Sequence, residues 1–210
     1  MKTKLVYSVC ILFYLLIVET PAATAQIDTT SLNQESIKAL IDSMGAAIQS
    51  QADSTNKIKE NRNKELIGTL YPEISNSEIK KMTKGKVVFI DFWFISCSAC
   101  MKELPEIKRL YDKYKSNKNF QVISLTFETE SIIKKFIHDH QIGYPVYSLS
   151  KNECNRLSFM NGYPTHVILN RKGEIQFINS EVALDDSNMD QVYKENIYPV
   201  LDELLAQPAQ

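Results

Sequence analysis

The chain has 210 residues, with 24 Lys and Arg against 25 Asp and Glu, for a formal net charge of −1. That balance supplies no basic surface for nucleic acid or an anionic membrane, and the length allows one domain with a proper core plus an appendage. Of its 4 cysteines, Cys10 lies in an apolar N-terminal run; the other three, Cys97, Cys100 and Cys154, are an odd number at spacings that read as one reactive pair plus a spare rather than a disulfide scaffold.

Lys2 and Lys4 form a positive start, Leu5 to Val18 is apolar, and Ala23-Thr24-Ala25 offers a small-residue cleavage site. The run falls short of the about 20 residues a membrane span needs. Residues 1–25 therefore read as a cleaved signal peptide handed to the secretion machinery, with an uncleaved anchor as the alternative. The remaining chain is then expected in the periplasm or another extracytoplasmic space, where disulfides persist.

Residues 26–65 contain no Trp, Tyr or Phe. Ile37, Leu40, Ile41, Met44 and Ile48 recur at helical spacing and predict one amphipathic helix. The charged, Asn-rich stretch from Gln51 to Lys64 reads as its continuation or a linker. The apolar stripe is expected to pack on the chain's own domain; a partner-binding or self-associating helix is the alternative.

Residues 66–210 alternate between strand and helix patterns and form the expected main domain. Strands are predicted at Lys86–Ile95, Phe120–Phe127, Tyr144–Leu149, Thr165–Asn170 and Glu174–Asn179, the last two joined by the turn signal Arg171-Lys172-Gly173. Helices are predicted at Ala99–Lys115, Ser131–His140, Asn152–Met160 and Asn188–Leu205. This order, ending in a hairpin and a helix, argues an α/β sandwich with a mixed sheet.

The chemistry lies where the first of these strands runs into Cys97-Ser98-Ala99-Cys100. Cys97 stands at the mouth of the following helix, where unpaired backbone N–H groups and the helix dipole stabilise a thiolate. Cys100 is one turn further on the same face, within reach of a disulfide. Pro105 lies inside that helix and either kinks it or is tolerated near its first turn. Tyr163-Pro164 directly precedes a buried strand and is a candidate cis bond. Asp91 interrupts an apolar run, a costly place for a charge unless it is paired.

Asp91-Phe92-Trp93 ahead of Cys97-Ser98-Ala99-Cys100, followed by Met101-Lys102-Glu103-Leu104-Pro105, Gly162-Tyr163-Pro164-Thr165 and Arg171-Lys172-Gly173, resembles the thioredoxin superfamily. The match is closest to its secreted TlpA/ResA-like thiol–disulfide oxidoreductases, and Ile67-Gly68 with Pro72-Glu73-Ile74 is similar to their opening segment. Ala99 stands where that family usually carries Pro, Asp91 where it often has Asn, and Pro72 to Lys86 is short for its usual N-terminal hairpin.

The resemblance implies a thioredoxin-like α/β/α sandwich with a mixed central sheet, preceded by a helical N-terminal segment. It implies Cys97 as an exposed attacking thiolate and Cys100 as the resolving thiol, the two forming the redox disulfide. Asp91 and Glu128 are the candidate bases for the Cys100 proton. Trp93 is expected to pack beneath the cysteines, with substrate contact as the lesser reading. Tyr163 and Pro164 are expected to meet an extended substrate segment.

No cofactor and no metal is implied. The expected partners are protein disulfide substrates and a membrane-bound electron donor, with the reductive direction favoured. Two alternatives compete: a copper chaperone using Cys97, Cys100 and His166, and a binding module that has kept the fold without the catalysis. Peroxidase action is less expected, because the residues before Cys97 lack the Pro and Thr of such sites. Cys154, in a helix pattern, reads as a small buried residue, and His138 and His140 as a solvated helix end.

Overall fold

The computed structural model describes residues 34–179 and 186–208, so the expected signal peptide lies outside the described residues. The chain divides into two compact units between Asp53 and Ser54. In the first, residues 34–53 belong to helix α1 (Gln34–Leu66). No residue of α1 is buried, and the stripe expected to pack inward, Ile37, Leu40, Ile41, Met44 and Ile48, is exposed. Among the described residues no helix is long and apolar enough to cross a membrane.

The second unit continues from α1 into α2 (Ser77–Thr83), β1 (Val87–Trp93), α3 (Ser98–Tyr114), β2 (Phe120–Thr126), α4 (Glu130–His140), β3 (Val146–Ser148) and α5 (Lys151–Leu157). It ends with β4 (Thr165–Leu169), β5 (Ile175–Asn179), α6 (Asp186–Val192), a π-helical turn (Tyr193–Ile197) and α7 (Tyr198–Ala206). The five strands form one sheet in the order β3-β2-β1-β4-β5. β1, β2 and β3 pair in parallel, while β4 runs antiparallel to both β1 and β5. The mixed sheet read from the sequence is thus present.

Side chains of a strand alternate between the two faces of a sheet, and here each face has its own cover. Phe89 and Trp93 of β1, with Val122 and Ile168, pack against Leu104, Ile107 and Leu110 of α3, Phe136 of α4, and Tyr193, Ile197 and Leu201 near the C-terminus. Val88, Ile90 and Phe92, with Ile123, Leu125 and Val167, pack against Ile79 of α2 and Cys154 and Leu157 of α5. Two covered faces make an α/β/α sandwich. β1, buried at all seven positions, lies at its centre.

Two elements differ from the sequence expectation for identifiable reasons. α2 is a 7-residue helix, too short to announce itself by periodicity, and it starts because Asn76 Oδ1 accepts the N–H groups of Glu78 and Ile79 at 2.9 and 3.1 Å. The single helix expected at the C-terminus is instead α6, the π-helical turn and α7. Pro199 has no N–H for the carbonyl four residues back, and the chain widens at that point. The widened turn buries Tyr193 and Ile197 completely.

The sheet edge at β5 is covered by the segment that follows α1. Gly68 N–H donates to Ile175 O at 2.7 Å, Ile175 N–H to Thr69 O at 2.9 Å, and Tyr71 N–H to Gly173 O at 2.9 Å. Gly173, at φ +81°, turns the β4–β5 hairpin in a region that disfavours any side chain, and Asn170 Oδ1 accepts the N–H groups on both sides of it.

Candidate active site

β1 delivers the chain to the two cysteines at the centre of the sheet. Cys97 is the N-cap of α3, and its Sγ accepts the Cys100 N–H at 3.2 Å. The two residues are joined by a disulfide, with Cα atoms 5.3 Å apart. Once the pair is reduced, that N–H and the helix N-terminus face the Cys97 sulfur and favour its anion. Cys97 was expected to be exposed, and here the expectation is corrected: it is 6% exposed against 4% for Cys100. The reason is packing, since both cysteines join the cluster that includes Trp93 and Leu104.

A row of polar side chains crosses the sheet under α3. Asp91 on β1 stands opposite His166 on β4 and Ser124 on β2 in the strand registers, and directly paired residues share a face. Asp91, Ser124 and His166 are all buried, as is Glu103, which lies three residues after Cys100 on α3. Ser124 Oγ donates to Asp91 Oδ2 at 2.7 Å. His166 Nε2 lies 3.3 Å from Glu103 Oε2 and 3.5 Å from Asp91 Oδ1. These are ion-pair distances rather than hydrogen bonds: Nε2 and both oxygens lack a hydrogen-bond partner among the described residues.

One imidazole thus faces two carboxylates, and the proton affinities follow. Burial pushes Glu103 upward, the His166 charge pulls it down, the Asp91 charge pushes it up again, and the net direction is up. For His166, burial acts downward, but Glu103 and Asp91 outweigh it and hold the imidazole above its usual range. The Tyr193 hydroxyl completes the pocket, its ring 6.0 Å from that of His166; burial and then the nearby Glu103 and Asp91 charges keep it protonated. Phe89 stacks on the imidazole at 5.1 Å. Glu103 stands in the sequence within a recognisable motif, but nothing in its spacing announces burial beside His166.

The remaining sequence-selected residues take separate places. Glu128 follows β2, and its Oε1 accepts the Ile95 N–H at 2.9 Å, two residues before Cys97. Its own carbonyl accepts from Ser148 Oγ at 2.6 Å. Trp93 is 2% exposed and stacks on Phe136 at 4.0 Å, which leaves its ring no face for a substrate and corrects that reading. Tyr163–Pro164 is a cis peptide bond. The half-buried Tyr163 ring meets Phe94, just before the cysteine loop, at 5.4 Å and Phe127, beside Glu128, at 5.6 Å, while Phe94 and Phe127 stack at 5.5 Å. Three chain segments that flank the redox pair are therefore tied by one aromatic cluster.

Sequence reading missed the support of the loop ahead of Pro164. Phe159 and Met160 are consecutive left-handed residues, at φ 56° and 57°. Asn161 behind them is held by the end of α1: Lys59 Nζ donates to its carbonyl at 3.2 Å, Arg62 donates to its Oδ1, and its Nδ2 donates to Asn63 Oδ1 at 3.0 Å. Cys154 is fully buried and unpaired on the opposite sheet face, where burial pushes its thiol up to about 11. The copper alternative needs His166 with the cysteines, but its Nε2 is directed at the two carboxylates.

A central sheet with helices on both faces, a Cys-x-x-Cys pair at a helix start and a cis proline before β4 define a thioredoxin-fold protein. A crystal structure from Chlorobium tepidum, described as a thiol:disulfide interchange protein DsbE, matches with a TM-score of 0.55 and 22% identity, over 67% of this chain and 98% of that one. The chain belongs to the AhpC/TSA family, whose model matches residues 68–178. It is 27% identical over 111 residues to the sporulation thiol-disulfide oxidoreductase A of Bacillus subtilis, covering 51% of this chain and 67% of the relative. It is 32% identical over 99 residues to the thiol-disulfide oxidoreductase ResA of Bacillus cereus, covering 47% of this chain but only 56% of the relative.

Proposed function

We propose that the protein is an extracytoplasmic thiol–disulfide oxidoreductase that reduces disulfides in protein substrates. The observation that carries this reading is the placement of the Cys97 sulfur on the Cys100 N–H at the start of α3, with the buried carboxylates of Asp91 and Glu103 under the same helix. The names of the relatives support the reaction class. The apolar run from Leu5 to Val18 and the small residues that follow it support export.

In the reduced protein, Cys97 thiolate attacks one sulfur of a substrate disulfide. A Cys97–substrate disulfide forms, and the other substrate sulfur leaves with the electron pair as a thiolate that takes a proton from water. Cys100 then gives its proton to the carboxylate cluster and attacks Cys97 Sγ. The second substrate sulfur leaves, and the Cys97–Cys100 disulfide has taken up the oxidising equivalents. Asp91 is a proton acceptor in this scheme, and Glu103 joins it. Glu128 fixes the Ile95 backbone and so the approach of Cys97. The Tyr163–Pro164 backbone receives the substrate as an added strand. A membrane-bound donor returns two electrons to the pair.

The test is reduction of insulin by the protein with dithiothreitol as electron source, together with trapping by Cys100→Ser. Turnover by the native pair, and a persistent mixed disulfide on Cys97 in the variant, support the proposal. A protein that neither reduces insulin nor traps a partner is a binding module instead. A potential nearer about −270 mV than about −120 mV supports the reductive direction.

A further inference from the structure

We infer that His166 is a positioning residue for the resolving step: its imidazolium, held between Asp91 and Glu103, keeps the Glu103 carboxylate available to accept the Cys100 proton. The inference rests on the oxidoreductase reading and goes beyond it by assigning a residue and a pH window to one half-reaction.

Cys100 and Glu103 are three residues apart on α3, a spacing that puts their Cβ atoms about 5–6 Å apart on one face. Glu103 is only 2% exposed, so a proton that leaves Cys100 has this carboxylate as a near acceptor and little bulk water beside it. A second buried acid, Asp91, shares the site. Burial and the Asp91 charge both push Glu103 toward its protonated form. A base that already carries a proton cannot take another from Cys100.

His166 is placed to prevent this. Its Nε2 is within 3.5 Å of one oxygen from each acid, 3.3 Å from Glu103 and 3.5 Å from Asp91. The facing groups from every surrounding element agree with a cationic ring. Asp91 comes from β1, Glu103 from α3, and the neutral Tyr193 hydroxyl from the π-helical turn. Glu106 on α3 and Tyr144 add to the same pocket and act on Tyr193, and Glu106 is itself paired with Arg109. The His166 charge is what lowers the proton affinity of Glu103.

In the resolving step the Cys100 S–H bond breaks and its proton goes to Glu103. The new Cys97–Cys100 bond forms as the Cys97–substrate bond breaks, and the substrate sulfur leaves with the electron pair. With His166 charged, the Glu103 carboxyl gives up its proton at lower pH. With that charge removed, the proton stays on Glu103 to higher pH.

The experiment follows release of a preformed Cys97 mixed disulfide by stopped flow from pH 5 to pH 9, in the full protein and in His166→Gln. The expected result is a midpoint of the pH–rate profile shifted alkaline by about one unit or more, with the rate approaching the parent's at the alkaline end, since burying two like charges moves carboxylates by such amounts. An unchanged midpoint, or an equal loss of rate at every pH, overturns the inference and identifies a packing residue. Should the variant not fold, NMR titration of the His166 ring in the parent protein decides: a ring still protonated at pH 7, with a midpoint lowered by Glu103→Gln, supports the inference, and a ring neutral at pH 6 overturns it. Failure of the parent to release any mixed disulfide, by contrast, counts against the oxidoreductase reading.

Discussion

The two faces of the central sheet are built from alternate residues of the same strands, yet they do different work. On one face Ile90, Phe92, Ile123, Leu125 and Val167 form an apolar layer with Ile79, Leu157 and the unpaired Cys154. On the other, one residue along each strand, Asp91, Ser124 and His166 form a polar row under the helix that starts at Cys97. In the first setting burial, helped by the Glu153 charge, pushes the Cys154 thiol up to about 11 and disfavours its nucleophilic anion. In the second, a helix N-terminus faces one thiol and buried acids lie near the other. The fold supplies two cysteine environments, one on each face of the sheet, and reactivity is expected to follow the face.

Substitutions on the two faces should separate chemistry from stability. Glu103→Gln removes the proposed acceptor of the Cys100 proton and should slow resolution of the mixed disulfide by about 10²–10⁴-fold, while formation of that disulfide changes little. Stopped-flow rates for the two steps check this, and equal slowing of both would remove the base role. Ile123→Ala, on the opposite face, should destabilise the protein by about 2–5 kcal/mol through a cavity, read as a shift of the denaturant midpoint, with both exchange rates retained.

A smaller effect sharpens the contrast through pH. Glu103 and His166 both bind a proton more tightly folded than unfolded. Their contribution to stability is therefore complete below their unfolded values and lost as pH rises through the folded ones. The window opens above 4.5 for Glu103 and above 6.5 for His166. Denaturation of the oxidised protein should show stability falling with pH across this range, and Glu103→Gln should flatten the fall. Ile123→Ala should lower the whole curve without changing its slope. A flat curve in the parent would place neither shift in the folded state.

The fold was readable because its signals are local and periodic. The continuous apolar run of β1 and the apolar spacing of α3 announce the layers, and Cys97, Cys100 and Pro164 mark the site by type and position. What escaped the sequence depends on partners far along the chain. Burial of Glu103 follows from the sheet register that sets His166 opposite Asp91, and no pattern within α3 encodes it. The Asn161 clamp joins residues about a hundred positions apart, Lys59, Arg62 and Asn63, across a left-handed loop that has no glycine at Phe159 or Met160. The burial of Cys97 was missed for the same reason. A helix N-cap predicts the sulfur's electrostatics, but its cover comes from tertiary packing.

The central claim, that one face of the sheet activates a thiol and the other silences one, is tested most directly by site-resolved alkylation of the reduced native protein. Iodoacetamide labelling from pH 5 to pH 9, quantified for each cysteine by mass spectrometry, gives three rate profiles. The account predicts that Cys97 reacts first, with its inflection well below the about 8.5 of a free thiol. Cys100 should follow, and Cys154 should label only when the protein is unfolded. Cys154 reacting first, or a Cys97 inflection at the free-thiol value, would contradict it.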